Sequence, residues 1–187
     1  MDTWLRFFGP HFPSNEALLK FIEPLEALVL EDSRHPAKIM MHQTQRLISI
    51  ADDLPAIRSG KESLQLVFLL ICAENLAKMH DHFTGEGQSR AYVRKFFEVL
   101  VSGDDRDVLE HSFTHGMRPI PLRGIVDMLY DVRCDVVHEG KYWGFHFHDG
   151  RTPMLNTEPD VNVFIQLSSF RDIVVRGCIA AISQHAP

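Results

Sequence analysis

Between Ser59 and Phe83 the chain carries a helix-forming stretch that is apolar on almost every face. Leu64, Val67, Phe68, Ile71, Leu76 and Met79 recur at helical spacing, and Leu66, Leu69 and Leu70 fill the other sides. Such a helix has no face to give to water, so other elements must surround it. Ser59 and Glu62 stand in capping-box spacing at its start, and Gly85-Glu86-Gly87 closes it. Its longest unbroken apolar run, Leu66 to Ala73, falls far short of the ~20 residues of a membrane span. No membrane association is expected. Glu74 lies inside the same stretch, where a carboxylate needs a partner: Arg133 on a neighbouring helix, or Lys78 one turn on.

The flanking segments supply the surround. Ser14 to Leu30 places Leu18, Phe21, Ile22, Leu25, Leu28 and Val29 at helical spacing, broken or kinked at Pro24, and a second helix is predicted from Pro36 to Leu54. Residues 1–58 thus read as an N-terminal helical hairpin. A helix over Gln88 to Val101 is expected to bury Tyr92, Phe96 and Val99, and Asp104 to cap a short helix ending at His115. Pro119 and Pro121 introduce another, with Ile125, Leu129, Val132 and Val136 inward and Gly140 as its stop. After Gly140 the period becomes two. Trp143, Phe145 and Phe147 alternate with Gly144, His146 and His148, and Asp149-Gly150 signals a hairpin. Val161, Val163, Ile165 and Leu167 alternate again, with Pro153 demoting the strand between to an edge. Ser169 with Asp172 predicts the cap of a last helix carrying Ile173, Val174, Gly177 and Ala181 inward. The expected fold is a single, mainly α domain: the hairpin, a helical core over 59–140, and a small antiparallel β-hairpin with a terminal helix over 141–187.

Composition narrows the function classes. Hydrophobic residues at 45% and charged residues at 24% are ordinary for a globular chain, which excludes collagen-like and disordered readings. A formal charge of −6 argues against broad polyanion binding, although 11 histidines make any local contact with nucleic acid sensitive to pH. Cys72, Cys134 and Cys178 are odd in number and widely spaced. With no apolar leader behind Asp2 and Arg6, they read as reduced thiols in a cytoplasmic protein.

One constellation carries chemistry. The helix before Gly140 ends Leu129-Tyr130-Asp131-Val132-Arg133-Cys134-Asp135-Val136-Val137-His138-Glu139-Gly140. Arg-x4-His occurs three times, at Arg6–His11, Arg106–His111 and Arg133–His138. The first spans Gly9-Pro10 and the second lies on a short acidic helix. Only the third combines an apolar stripe, a preceding Leu-Tyr and a following Glu-Gly. Lys61 to Gly140 resembles the HEPN superfamily, whose signature helix closes on an Arg and a His four to six residues apart, and its ribonuclease and abortive-infection branches most. The resemblance implies a four-helix core, a homodimer, and metal-independent RNA cleavage at a site of two facing motifs. It also implies a toxin or phage-defence role beside an antitoxin or other neighbouring-gene partner, with no cofactor. Active members commonly carry Asn, Asp or His after the Arg; here that residue is Cys134, and Asp135 follows one place later.

The chemistry suits these residue types. Cleavage at the 2′-hydroxyl needs a base, an acid for the leaving 5′-oxygen, and a cation for the phosphorane charge. Histidine supplies the first two and arginine the third. Five ideal helical steps leave Arg133 and His138 about 140° apart, so either the helix end unwinds or a second chain lends its motif. Asp135, Glu74, Glu139 and Tyr130 are the supporting candidates. Arg90, Arg94 and Lys95 are candidate RNA contacts, or a solvated helix face. Without chemistry, His138 reads as a cation at a helix C-terminus, and Arg133 as a partner of the Asp127-Asp131-Asp135 row or of Glu139. A non-catalytic module binding a nucleotide or protein is the alternative. The pairs His111/His115, His80/His82 and His146/His148 leave a zinc-dependent hydrolase as a remote third, although no H-E-x-x-H, P-loop or G-x-G-x-x-G is present.

Overall fold

The computed structural model describes residues 2–28, 35–151, 154–157 and 160–187. Its helices are α1 (Asp2–Phe8), α2 (Asn15–Ala27), α3 (Pro36–Ile57), α4 (Glu62–His80), α5 (Ser89–Lys95), α6 (Gly103–Ser112), α7 (Leu122–Cys134) and α8 (Leu167–His185). A 3-10 turn, Gly9–His11, follows α1, and α5 and α7 each end in a π turn, Phe96–Leu100 and Asp135–Glu139. Helix α4 is the hub: α3, α5, α7 and α8 all pack against it. Leu66, Leu69, Leu70, Cys72, Ala73, Leu76 and Ala77 are all buried, which is the all-round burial its composition demands. Helix α3 lies along α4 and α8 and meets α2 more briefly, so it belongs to the core layer. Pro24 and Pro55 are accommodated inside α2 and α3. No described helix is long and apolar enough to cross a membrane.

A four-stranded antiparallel sheet covers one end. Its strands are β1 (Phe113–His115), β2 (Arg118–Pro119), β3 (Met154–Thr157) and β4 (Asp160–Val163), in the order β2-β1-β4-β3. Phe113, Val163 and Met154 share one row of the register, and Val161 and Val163 are buried beneath it with Phe145, Phe147 and Phe170.

Several local expectations are corrected. Phe145 and Phe147 face inward and His146 and His148 outward as predicted, but Trp143 is 59% exposed instead of inward, and the segment joins no ladder because side chains serve the backbone of residues 145–147. Glu62 accepts from Phe147 N (2.8 Å), the Asn156 amide bonds both N and O of His146 (2.7 and 2.9 Å), and the Ser63 hydroxyl donates to Phe145 O (2.9 Å). Glu62 is therefore not half of a capping box; Lys61 is the N-cap, with no side-chain cap bond. Burial pushes the Glu62 carboxyl above its usual range, partly offset by that backbone donor. Ser102, not Asp104, caps α6, accepting from Asp105 N (3.2 Å). That helix stops at Ser112, short of the predicted His115, because Phe113 and Thr114 pair with β4 and His115 with β2. Helix α8 begins two residues before Ser169 and has Gln166 as its N-cap. Val99 is 55% exposed, since the π turn rotates Phe96, Phe97 and Leu100 inward instead. Val29 and Pro153 lie outside the described residues.

Candidate active site

Helix α7 is placed by its apolar stripe. Ile125, Leu129, Val132 and Val136 are buried against α4 and α5, and Leu122 N is capped by Glu110 Oε1 at 2.9 Å. Its polar flank zips to α5 in antiparallel order. Arg94 donates twice to Asp127 (2.5 and 2.7 Å), and Arg90 donates to Asp131. Donating to these carboxylates pushes both guanidinium pKa values up. Lys95 is held by Asp81. All three candidate RNA-contacting cations thus have carboxylate partners.

Arg133 faces inward from this flank, and its partner is not the aspartate row. Its Nη2 lies 3.6 Å from Glu74 Oε2, while Glu74 Oε1 accepts from Lys78 Nζ at 2.7 Å. Both predicted partners of Glu74 are therefore engaged, one on each oxygen. Arg133 Nη1 donates to the Tyr130 hydroxyl at 3.3 Å. The Tyr130 ring lies within cation–π distance of two guanidiniums, Arg90 at 4.7 Å and Arg133 at 5.2 Å. With its side chain 17% exposed, Arg133 is a held cation rather than a waving one.

The helix end then changes winding. Over Asp135–Glu139 the backbone forms a π turn, closed by Gly140 in the left-handed region (φ +68°) and by Lys141 N donating to Asp135 O (3.1 Å). Each residue of a π turn advances by less than in an α-helix, so the fifth residue swings back toward the first. His138, Asp135, Val137 and Glu139 are exposed on this turn; Val136 is its buried residue, and Cys134 before it is half-buried. Glu139 is held by Lys141 (2.5 Å), whose hydrogen bond keeps its carboxyl below the usual range. The result is a fixed guanidinium on the inner side of the helix end and an accessible imidazole on its outer side.

Each histidine pair is tied to groups outside the pair. His111 ends α6 and His115 lies on β1, where its Nδ1 meets Asp160 O (2.8 Å). His146 and His148 are bonded to Trp143 O and Gly150 N. His80 and His82 both meet His185: His80 Nδ1 lies 3.0 Å from His185 Nε2, a contact across 105 residues that no local spacing signals, and the His82 ring lies 5.5 Å from the His185 ring. Among the described residues, no three His, Cys, Asp or Glu side chains converge as a metal site. Cys72 and Cys178 touch inside the core, with sulfurs 3.7 Å apart as free thiols. Compared with known protein families, curated proteins and solved structures, the chain matches none.

Proposed function

We propose that this chain is a HEPN-like, metal-independent endoribonuclease of the toxin or phage-defence kind, acting as a homodimer on RNA. The observation that carries the reading is the π turn that ends α7. π turns concentrate at functional sites. This one leaves Arg133 braced by Glu74 and Tyr130 while presenting His138 to solvent. A braced guanidinium suits the pentacovalent phosphorane, whose charge it meets without reorganising. An exposed histidine suits proton transfer at the 2′- and 5′-oxygens. One helix offers one histidine, and the reaction needs both a base and an acid. A second chain across a two-fold axis would supply the other. A neighbouring-gene product acting as antitoxin would cover this same helix end. The setting in which such a reaction runs is the cytoplasm.

The alternative, a non-catalytic nucleotide- or protein-binding module, draws on a different observation. Arg90, Arg94 and Lys95 are already neutralised, and Cys134 stands where a polar residue commonly accompanies the Arg. Incubating the purified protein with a single-stranded RNA in EDTA separates the two. The nuclease leaves fragments ending in 2′,3′-cyclic phosphate, and the module leaves the RNA intact. Activity lost to EDTA and restored by zinc would transfer the chemistry to a metal.

A further inference from the structure

A second polar constellation lies away from α7, where α1, α3 and α8 meet. A cleft of 280 Å³ opens there, lined by Arg6 and Phe7 of α1, Gln45, Ser49 and Asp52 of α3, and Arg171 of α8, among others. A smaller one, 180 Å³, shares Asp52 and Arg171 with it, so that ion pair forms the wall common to both. Gln45, Ser49 and Asp52 stand at i, i+4 and i+7, a single polar stripe along α3 aimed into the cleft. Arg171 is fixed: its Nε and Nη2 each donate to Asp52 at 2.7 Å, and its Nη1 donates to Asp172 at 3.0 Å. Gln45 is likewise committed, donating to the Ser49 hydroxyl at 3.0 Å. The wall is therefore built before any ligand arrives.

Charge selects the ligand class. Arg171 is held between Asp52 on the lining and Asp172 beside it, which leaves Arg6 as the cation of the lining with no carboxylate partner among the described residues. Arg6 is exposed and has neither ion pair nor hydrogen bond among the described residues. Beside it, the half-buried ring of Phe7 lies 5.7 Å from the Arg171 guanidinium carbon and offers a flat apolar surface. The volume is near the lower limit of small-molecule sites, which suits a compact ligand and not a polymer. We propose that this cleft binds a small organic anion, its carboxylate or phosphate on Arg6 and its flat apolar body against Phe7. The site is independent of the ribonuclease reading. It includes the arginine of Arg6–His11, the pattern match that lacks a continuous helix.

Trp4, on the same helix as Arg6 and packed on Phe8 and His42, is a built-in reporter. In a Trp143→Phe background its fluorescence is followed while benzoate, phenyl phosphate or the neutral benzyl alcohol is added. A saturable change with benzoate or phenyl phosphate is expected, and the tighter of the two identifies the head group. Arg6→Ala should weaken that binding at least about tenfold, the order of effect of losing one charge-assisted pair. Because Arg6 is exposed, its melting temperature should not change. Arg118→Ala, which removes an equal charge from the distant strand β2, should bind as the parent does. The proposal is overturned if neither anion saturates below about 10 mM, if Arg6→Ala binds as tightly as the parent, or if benzyl alcohol binds as well as the anions.

Discussion

Arg133 shows how much one residue's role depends on what faces it. Its side chain is held between Glu74 and Tyr130, so removing a holder should be felt in both stability and activity. Glu74→Gln leaves Lys78 and Arg133 without their shared carboxylate at a nearly buried position, and should cost about 1–3 kcal/mol in denaturant unfolding. A change below a few tenths would mean that the pair is only a surface ornament. Arg133→Lys keeps the charge and loses the fork, so RNA cleavage should fall sharply while the fold persists. Cys134→Asn restores the commoner neighbour and should cleave as well as the wild type or better. At this scale the sequence was informative: Glu74 stood out as an acid in an apolar helix, and the structure engages both of its predicted partners. The Arg6 cleft was not visible, because its residues come from three helices brought together only by packing.

Helices with strong apolar stripes were legible, and their ends were not. The inner face of α7 and the buried surface of α4 follow from spacing alone. The cap assignment at Ser59 failed because a tertiary bond claimed Glu62 for the backbone of Phe147, and the one at Asp104 because Ser102, two residues earlier, takes the N-cap position. The same competition kept residues 145–147 out of the sheet. It predicts that Asn156→Ala, by orphaning both backbone groups of His146 at a site where Asn156 is buried, destabilises the fold by about 1–3 kcal/mol. Thermal melts of the variant check this; an unchanged midpoint would assign the segment's position to Phe145 and Phe147 alone. The π turns were also beyond periodicity, since spacing rules assume constant winding, and Val99 was misplaced for that reason.

For the whole molecule, acid is the revealing variable. Burial holds His11 and His185 below their ordinary pKa of 6.5, and neighbouring His80, His82 and His35 add to the effect at His185. The unfolded chain then binds more protons than the folded one. Stability is complete above about pH 6.5 and declines as pH falls through the lowered values. Glu62, with its raised pKa, works the opposite way above 4.5, so the comparison to make is against His185→Gln, which should flatten the decline between pH 7.5 and 5.5. A variant that follows the wild-type curve would remove His185 from this account. The helical class, the terminal sheet and the last helix all followed from the sequence. The β1–β2 hairpin did not, because three-residue and two-residue strands are too short to show a period. Association belongs to this scale as well: sedimentation at tens of micromolar should find a dimer burying at least ~1,000 Å² through or beside α7, and a strict monomer would remove the shared site. The most direct measurement is single-turnover cleavage of RNA in EDTA by the wild type and by His138→Ala, with His111→Ala as the pattern-matched control. The wild type and His111→Ala should cleave alike, and His138→Ala should be slower by about 10²-fold or more at an unchanged melting temperature. Cleavage by His138→Ala at the wild-type rate would contradict the claim and leave α7 a structural helix end.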